Sequence, residues 1–179
     1  SYATMAEPLR KLVKSYSGAF DIMQGEVGCP SQLEFAHALK NAEWTEYSQA
    51  KWNLRRTIGD AVRAIPSSVF TMIDLQYTFM LQSFGMLRSN SLKEVGYRRP
   101  SYFAMQNVFS YLDDEALPFG VCTNAEFKIT RRADPRDTAK RVLTCARFTR
   151  FGIPVRFYWF SDSSPDNRLE FDRVTLKVP

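Results

Sequence analysis

Apolar side chains recur every three or four positions between residues 5 and 16, and Lys and Arg occupy the opposite face. This period predicts an amphipathic helix, because residues three and four apart lie on one side of an α-helix. Thr4 and Glu7 resemble a capping box at its start, and Ser17-Gly18 ends it. The apolar stripe consists of Met5, Leu9, Leu12, Val13 and Tyr16.

The next stretch, Phe20–Gln32, is predicted to be a short buried strand followed by a loop. Apolar residues stand at positions 20, 22 and 23, the run closes on Gly25 and Glu26, and a segment with Gly and Pro follows. A run this short between Gly and Pro is typical of a strand buried on both faces. Glu26 would then stand at the carboxyl tip of that strand.

A second helix is predicted over about residues 48–65, where Pro66 stops it. Ser68–Asp74 is another short apolar run that ends in a carboxylate, and residues 75–99 are predicted to be a long aromatic loop. Helix, strand, helix, strand is the order of a parallel α/β sheet. A third helix follows Pro100. The buried stripe predicted for the second helix is Ala50, Leu54, Ile58, Ala61 and Ile65.

From Leu117 onward the pattern changes to β-rich runs with partial alternation, separated by Asp-Pro, Phe-Gly and Ser-Pro-Asp-Asn turns. Such runs predict an antiparallel sheet. We therefore expect a boundary at about residue 116, with one region over 1–116 and a β-rich region over 117–179. The runs are Asn124–Arg132, Arg141–Arg150, Val155–Ser161 and Phe171–Val178.

Composition limits the classes of function. The chain has 179 residues and a net charge of +5, but no block of five Lys or Arg residues and no recognised nucleic-acid module, so binding of DNA or RNA is the weakest hypothesis. No apolar run approaches the ~20 residues of a membrane span, so no membrane association is predicted. The 14% aromatic content suits flat ligands such as sugars or bases.

The cysteines and the single histidine do not form a catalytic or metal-binding motif. Among Cys29, Cys122 and Cys145, one disulfide would leave one thiol over, so cysteine usage does not settle the compartment. His37 beside Cys29 lacks the third group that orients a thiol nucleophile. With Glu34 the two form no recognised ligand set. No metal or cofactor is therefore predicted.

Four segments in order carry a resemblance to a known family. They are QGE at 24–26, SQAKWNLRR at 48–56, SVFTMIDL at 68–75, and GMLRSN at 85–90 followed by YRRPSYFAMQNVFSYLD at 97–113. Together they resemble the C-terminal half of the clan A retaining glycoside hydrolases, which are (β/α)8-barrel glycosidases. The segments are similar to the seventh barrel strand, its helix, the eighth strand and the last barrel helix.

The resemblance implies a fold, a function and a departure from the family. It implies an α/β fold, the C-terminal portion of a (β/α)8 (TIM) barrel followed by a small antiparallel β-sandwich-like domain. A whole barrel needs about 250 residues. The acid/base, a glutamate after asparagine on the fourth strand, has no counterpart here. The chain is therefore expected to be a fragment or a degenerate relative, and a secreted or periplasmic location is implied by the resemblance only.

The candidate site follows from these elements. The resemblance makes Glu26 the nucleophile; otherwise it is the polar residue where a buried strand reaches solvent. Gln24 is a weaker candidate, because the glycine that follows it often distorts a strand. Asp74 would bind sugar hydroxyls or cap the following loop. Trp44 and Tyr77 would stack on a sugar ring or pack against the protein.

Two functions of different classes follow. The first is a retaining glycoside hydrolase that acts on a poly- or oligosaccharide, whose isolated chain lacks the acid/base and is expected to be inactive. The alternative is a non-catalytic carbohydrate-binding or assembly module. In both cases an N-terminal barrel half or a second copy of the chain is expected to cover exposed strand edges and apolar helix faces.

Overall fold

The computed structural model describes residues 2–33, 39, 43–122, 128–131, 143–160 and 175–177. Within these residues the chain forms three helices and eleven strands. The helices are α1 (Tyr2–Tyr16), α2 (Glu46–Ala61) and α3 (Pro100–Phe109). The strands are β1 (Gln24–Val27), β2 (Ser67–Val69), β3 (Leu75–Gln76), β4 (Leu81–Gln82), β5 (Leu87–Ser89), β6 (Val95–Arg98), β7 (Ala116–Cys122), β8 (Lys128–Arg131), β9 (Leu143–Arg150), β10 (Ile153–Phe160) and β11 (Thr175–Lys177).

The first half of the chain contains a βαβ unit. β1 and β2 pair in parallel, with Gln24 opposite Ser67 and Val27 opposite Val69, and α2 connects them. The parallel pairing predicted from the order of elements is therefore observed. β1 is shorter than predicted, and Phe20 and the exposed Met23 precede it. The prediction that this run is buried on both faces was wrong for the described residues, because one short parallel neighbour cannot cover two faces.

Helix α2 begins with a capping box. The N–H of Ser48 donates to Thr45 Oγ1 at 3.2 Å, and the N–H of Thr45 donates to Ser48 Oγ at 2.8 Å. These reciprocal bonds satisfy two donors that the first turn would otherwise leave unpaired. The helix ends at Ala61, earlier than predicted, and Ala64 with φ of 51° turns the chain towards β2.

Helix α1 is attached to the end of α2 by polar contacts. Arg10 Nη2 donates to the carbonyl oxygens of Arg63 at 2.8 Å and Ala64 at 3.2 Å. Its Nε donates to Asp21 Oδ1 at 3.0 Å. A guanidinium at the carboxyl end of a helix is favourable, because the last carbonyl groups carry partial negative charge. Arg10 therefore anchors α1 to the segment that follows α2.

The apolar stripe of α1 faces away from the other described residues. Its four large side chains with the highest exposure are 49–80% exposed, whereas the small side chain of Ala6 is buried. The helix was correctly predicted apart from its start: it begins at Tyr2, so Thr4 lies inside the helix and not at its cap. Periodicity identifies an apolar stripe but not the surface that covers it. The four residues are Met5, Leu9, Leu12 and Tyr16.

Residues 75–99 form two short hairpins instead of the predicted loop. β3 pairs with β4 around a turn in which the N–H of Tyr77 donates to the carbonyl of Met80 at 2.9 Å. β5 pairs with β6 around a turn in which Asn90 Oδ1 accepts from the N–H groups of Leu92 and Glu94. Strands of two to four residues are too short to show an alternating pattern, so these hairpins were missed.

The second half of the chain contains a three-stranded antiparallel sheet in the order β10-β9-β7. β9 lies within one predicted run, and β10 overlaps another but begins two residues earlier, at Ile153. β8 and β11, which pair with each other, lie within the other two runs. Much of those other two runs is outside the described residues. β7 was not predicted, because Pro118 and Gly120 break its pattern, and its register shifts between these two residues.

Helices α2 and α3 share one hydrophobic core with this sheet. Its buried residues are Ile58 and Val62 at the end of α2, Val108 on α3, and Ala146 and Phe148 on β9. The predicted boundary at residue 116, between regions 1–116 and 117–179, thus separates elements that pack on each other. Two parallel strands do not close a barrel, so the (β/α)8 architecture with its following β-sandwich stays a prediction.

An ion pair joins the segment after α3 to β9. Arg150 Nε and Nη2 both donate to the Asp113 carboxylate, at 3.1 Å and 2.5 Å from Oδ2. This contact holds the pKa of the Asp113 carboxyl below its usual value of 3.8. Both side chains are partly exposed, so the pair orients the two elements more than it stabilises them.

Replacing a core phenylalanine will test the shared core. Phe148 is 3% exposed and packs edge-to-face on Phe157, with ring centroids 5.8 Å apart. We expect Phe148→Ala to lower the free energy of unfolding by about 3–5 kcal/mol, because a cavity would remain between the sheet and the helices. The measurement is equilibrium urea denaturation. The control Phe79→Ala, at a residue 85% exposed, should cost less than about 0.5 kcal/mol. Equal losses would contradict the shared core.

Asp113 should make stability depend on pH in the acid range. A carboxyl whose pKa is lower in the folded state favours folding above its unfolded pKa, and this contribution disappears as pH falls through the lowered value. The free energy of unfolding, measured between about pH 5 and about pH 2, should therefore fall less steeply in Asp113→Asn than in the unmodified chain. Asp114→Asn removes the adjacent exposed carboxylate but keeps the contact between Asp113 and Arg150, and it serves as the matched control.

Candidate functional site at the ends of the parallel strands

The carboxyl ends of β1 and β2 lie at the same edge of the parallel pair. The N–H of Phe70 donates to the carbonyl of Val27 at 2.7 Å just beyond the last paired residues. A Cβ atom on Gly28 would lie 1.8 Å from the carbonyl oxygen of Phe70, so glycine is required for the two loops to approach each other. Carboxyl ends of parallel strands are where α/β proteins bring functional side chains together.

Glu26 is the exposed carboxylate at this edge. It is the third of the four residues of β1 and its side chain is exposed. Among the described residues, no side chain donates a hydrogen bond to its carboxylate. A Cβ atom on the preceding Gly25 would meet nothing within 4 Å, so the strand face over Gly25 is open. Both the backbone and the carboxylate are thus accessible to a ligand.

Gln24 supports the strand that carries Glu26. Gln24 Nε2 donates to the carbonyl of Glu26 at 3.0 Å, and Gln24 Oε1 accepts from Arg56 Nη2 at 3.0 Å. Arg56 in turn donates to the buried Asp60 at 3.0 Å. The amide therefore links β1 to α2, and its predicted contact with a sugar stays a prediction.

Asp74 is buried and its carboxylate accepts four hydrogen bonds from the chain itself. Its Oδ1 accepts from the N–H of Gly85 at 2.9 Å and from Arg99 Nη1 at 2.6 Å. Its Oδ2 accepts from the N–H of Ser89 at 3.2 Å and from Arg99 Nη2 at 2.9 Å. These contacts match the alternative in which Asp74 organises the following loop, because its acceptor positions are occupied by internal donors.

Arg99 completes this buried cluster. It is 1% exposed and also donates to the carbonyl of Gly85 at 2.6 Å and to Glu46 Oε1 at 3.2 Å. Burial acts to lower the pKa of Arg99, but the bonds and charges of Asp74 and Glu46 outweigh it and raise the pKa above its usual value. Arg99 therefore stays a cation and ties the hairpin loops to α2 and α3.

Gln49 connects this cluster to the end of β1. Its Nε2 donates to the carbonyl oxygens of Cys29 at 3.1 Å and Phe84 at 3.2 Å, and its Oε1 accepts from Ser101 Oγ at 2.9 Å. Sequence reasoning missed both Gln49 and Arg99. The only sequence signal for Gln49 was a second stripe on α2. It consists of uncharged polar residues about one helical turn apart, and these residues are buried in the structure. These residues are Gln49, Asn53 and Thr57.

The two predicted aromatic residues differ in exposure. Trp44 is buried before α2, and its Nε1–H donates to the carbonyl of Leu39 at 2.9 Å, which matches the packing alternative. Tyr77 is 44% exposed in the β3–β4 turn, and the still more exposed Phe79 lies two residues on. An exposed ring keeps a face on which a sugar could stack. Stacking at Tyr77 stays a prediction.

Cys29 lies directly after this edge but has no character of a nucleophile. It is fully buried, its Sγ lies 3.9 Å from the carbonyl oxygen of Gln49 and from Asn53 Oδ1, and burial raises its pKa. A raised pKa removes the thiolate that nucleophilic catalysis needs. His37 and Glu34, its hypothetical partners, lie outside the described residues. In the part of the chain that is described, no cluster of His, Cys, Asp and Glu suits a metal ion.

Comparison with protein-family models, with curated proteins and with solved structures found no match to this chain. Among the described residues, no helix is both long and apolar enough to cross a membrane. The geometry of the candidate site places Gln24 and Glu26 together on β1, and it places Asp74 in a buried cluster beyond β2.

Replacing Asp74 will test the buried cluster. In Asp74→Asn, Arg99 would remain buried without its carboxylate partner, and we expect the free energy of unfolding to fall by about 3–5 kcal/mol. Equilibrium denaturation measures this loss. The control Glu94→Gln changes an exposed carboxylate that accepts from Asn90 at 2.9 Å, and it should cost less than about 1 kcal/mol. Similar losses in both variants would show that Asp74 does not hold the loops together.

Proposed function

We propose that this chain is the C-terminal part of a retaining glycoside hydrolase in which Glu26 is the nucleophile. One observation carries the proposal: an exposed carboxylate stands at the carboxyl end of a parallel strand, next to open space at Gly25. The resemblance of this strand and the next elements to the last part of a (β/α)8 glycosidase barrel supports it. Barrel enzymes place their reacting groups at this end of the strands.

In the proposed reaction the Glu26 carboxylate attacks the anomeric carbon of a sugar and displaces the leaving oxygen. Water then hydrolyses the glycosyl–enzyme ester, so that the configuration of the sugar is retained. The bond from Gln24 to the backbone of Glu26, and from Gln24 to Arg56, holds the attacking residue in place. Fixed positioning of a nucleophile accounts for a large part of enzymatic rate enhancement.

The reaction needs a second carboxyl group about 5–5.5 Å from Glu26 to protonate the leaving oxygen. Three carboxylates of the neighbouring elements are already engaged. Asp60 accepts from Arg56, and Asp74 and Glu46 both accept from Arg99. We therefore assign the acid/base to an N-terminal barrel half, which would also cover the apolar stripe of α1.

The alternative is a non-catalytic carbohydrate-binding or assembly module. The observation that favours it is the exposure of Tyr77 and Phe79 in one turn, together with the exposed stripe of α1. Exposed aromatic rings suit stacking on sugars, and an uncovered apolar helix face suits another polypeptide. In this alternative Glu26 is only a solvent-facing residue.

A trapping experiment distinguishes the two. Dinitrophenyl 2-fluoroglycosides carry a leaving group that departs without an acid catalyst, and the fluorine slows hydrolysis of the glycosyl ester. We expect the 179-residue chain, incubated with a panel of these sugars, to gain one fluoroglycosyl group on Glu26, as measured by intact mass and peptide mapping. Ordinary aryl glycosides should not turn over, because the acid/base is missing.

Variants complete the test. Glu26→Gln should abolish the adduct, whereas Glu7→Gln, at an exposed carboxylate on α1, should not change it. Absence of any adduct, or an adduct on another carboxylate, would reject Glu26 as the nucleophile. Binding of an oligosaccharide that survives Glu26→Gln but is lost in Tyr77→Ala would instead support the module.

A further inference from the structure

Cys122 and Cys145 are directly opposite residues of the antiparallel pair β7–β9. Val121 and Ala146 are opposite each other at the next position, so the register is continuous at this end of the two strands. Opposite residues in an antiparallel pair have Cα atoms about 4.5–5.5 Å apart. A disulfide needs Cα atoms about 4.4–6.8 Å apart. The backbone therefore already holds these two residues at the separation of a disulfide.

The environment of Cys145 makes this placement rigid. β9 is the central strand of the sheet and pairs with β10 along its whole length, from Leu143 to Arg150. Cys145 is fully buried, and its Sγ lies 3.8 Å from the carbonyl oxygen of Ala146. Cys122 is the last residue of β7. One sulfur therefore belongs to a fixed central strand and the other to a strand end.

The third cysteine does not compete for this pairing. Cys29 lies after β1, fully buried, and its Sγ contacts the carbonyl oxygen of Gln49 and Asn53 Oδ1, both on α2. Its neighbours are therefore a helix and the loop of the candidate site. The sequence allows any two of the three cysteines to form a disulfide. The register of the sheet favours Cys122 with Cys145.

We propose that Cys122 and Cys145 are a redox-sensitive pair that closes to a cross-strand disulfide when the chain meets a small disulfide oxidant such as oxidised glutathione. Because Cys145 is fully buried on the central strand and β7 ends at Cys122, we assign the first exchange to Cys122. The Cys122 thiolate attacks one sulfur of the oxidant, the S–S bond of the oxidant breaks, and one glutathione leaves as its thiol after taking a proton.

The second exchange closes the bond. Cys145 loses its proton and attacks the Cys122 sulfur of the mixed disulfide, and the second glutathione leaves as its thiol. Two cysteine thiols are oxidised and one oxidised glutathione is reduced to two thiols, so electrons and protons balance. The new bond closes the segment 123–144 into a loop. This lowers the conformational entropy of the unfolded chain and so stabilises the folded state.

The experiment uses the full chain under native conditions at neutral pH. The protein is incubated with excess oxidised glutathione or with dithiothreitol, quenched with acid, alkylated in denaturant and mapped by mass spectrometry. After oxidation we expect one linked pair of peptides that contains Cys122 and Cys145, with Cys29 alkylated as a thiol. Dithiothreitol should restore alkylation at all three residues. The oxidised form should have a Tm higher by roughly 5–10 °C.

Two variants test the order of the steps. Cys145→Ser should stop at a mixed disulfide between Cys122 and glutathione. Cys122→Ser should leave Cys145 a thiol, and its Tm should not change between the oxidised and reduced conditions. If a variant fails to fold, the peptide maps of the unmodified chain after oxidation and after reduction still decide the proposal.

Three outcomes would overturn the proposal. They are alkylation of both Cys122 and Cys145 after excess oxidant, a linked pair of peptides that includes Cys29, or a disulfide between two copies of the chain instead of within one. The first would show that the backbone register does not bring the sulfur atoms together. The other two would show that a different pair of sulfur atoms is closer.

Discussion

The buried ion pair between Asp74 and Arg99 is the contact on which the arrangement of the first half of the chain depends. Removing two charges from water is costly, and the cost is recovered only when both groups are fully hydrogen-bonded. Here the two groups bond bidentately, and the remaining partners are backbone groups of Gly85 and Ser89 and the carboxylate of Glu46. The pair therefore fixes the two hairpins against the starts of α2 and α3.

A chain of hydrogen bonds connects this ion pair to the candidate site through the side-chain amide of Gln49. Gly85 accepts from Arg99, and the adjacent Phe84 accepts from Gln49, which also donates to the carbonyl of Cys29 just after β1. The end of β1, and with it Glu26, is therefore held by hydrogen bonds from α2. A buried polar network of this kind favours one arrangement, because a displaced member would leave an unpaired group in the interior.

The exposed surfaces contrast with this ordered interior. The side chain of Glu26 is exposed, and the apolar stripe of α1 has no cover among the described residues. Apolar surface gains free energy when it leaves water, so an uncovered stripe favours association with another polypeptide. This contrast fits a chain that provides one carboxylate of a site and depends on a further segment for the rest. It also fits an assembly module.

The local sequence pattern determined the three helices and the parallel strand pair. Tertiary contacts decided which groups their polar side chains bind. The apolar period predicted α1, α2, α3 and the parallel order of β1 and β2, because period and Gly or Pro punctuation are local properties. The carboxylate of Glu26 at a strand tip followed from the same pattern and from the family resemblance. The hairpins of residues 75–99 and strand β7 were missed, since short or Pro-interrupted strands leave no period.

The partners of the buried polar side chains could not be predicted, because Asp74 bonds to Arg99, and Gln49 bonds to Cys29 and Ser101. Those pairs are distant in sequence and meet only when the chain has folded.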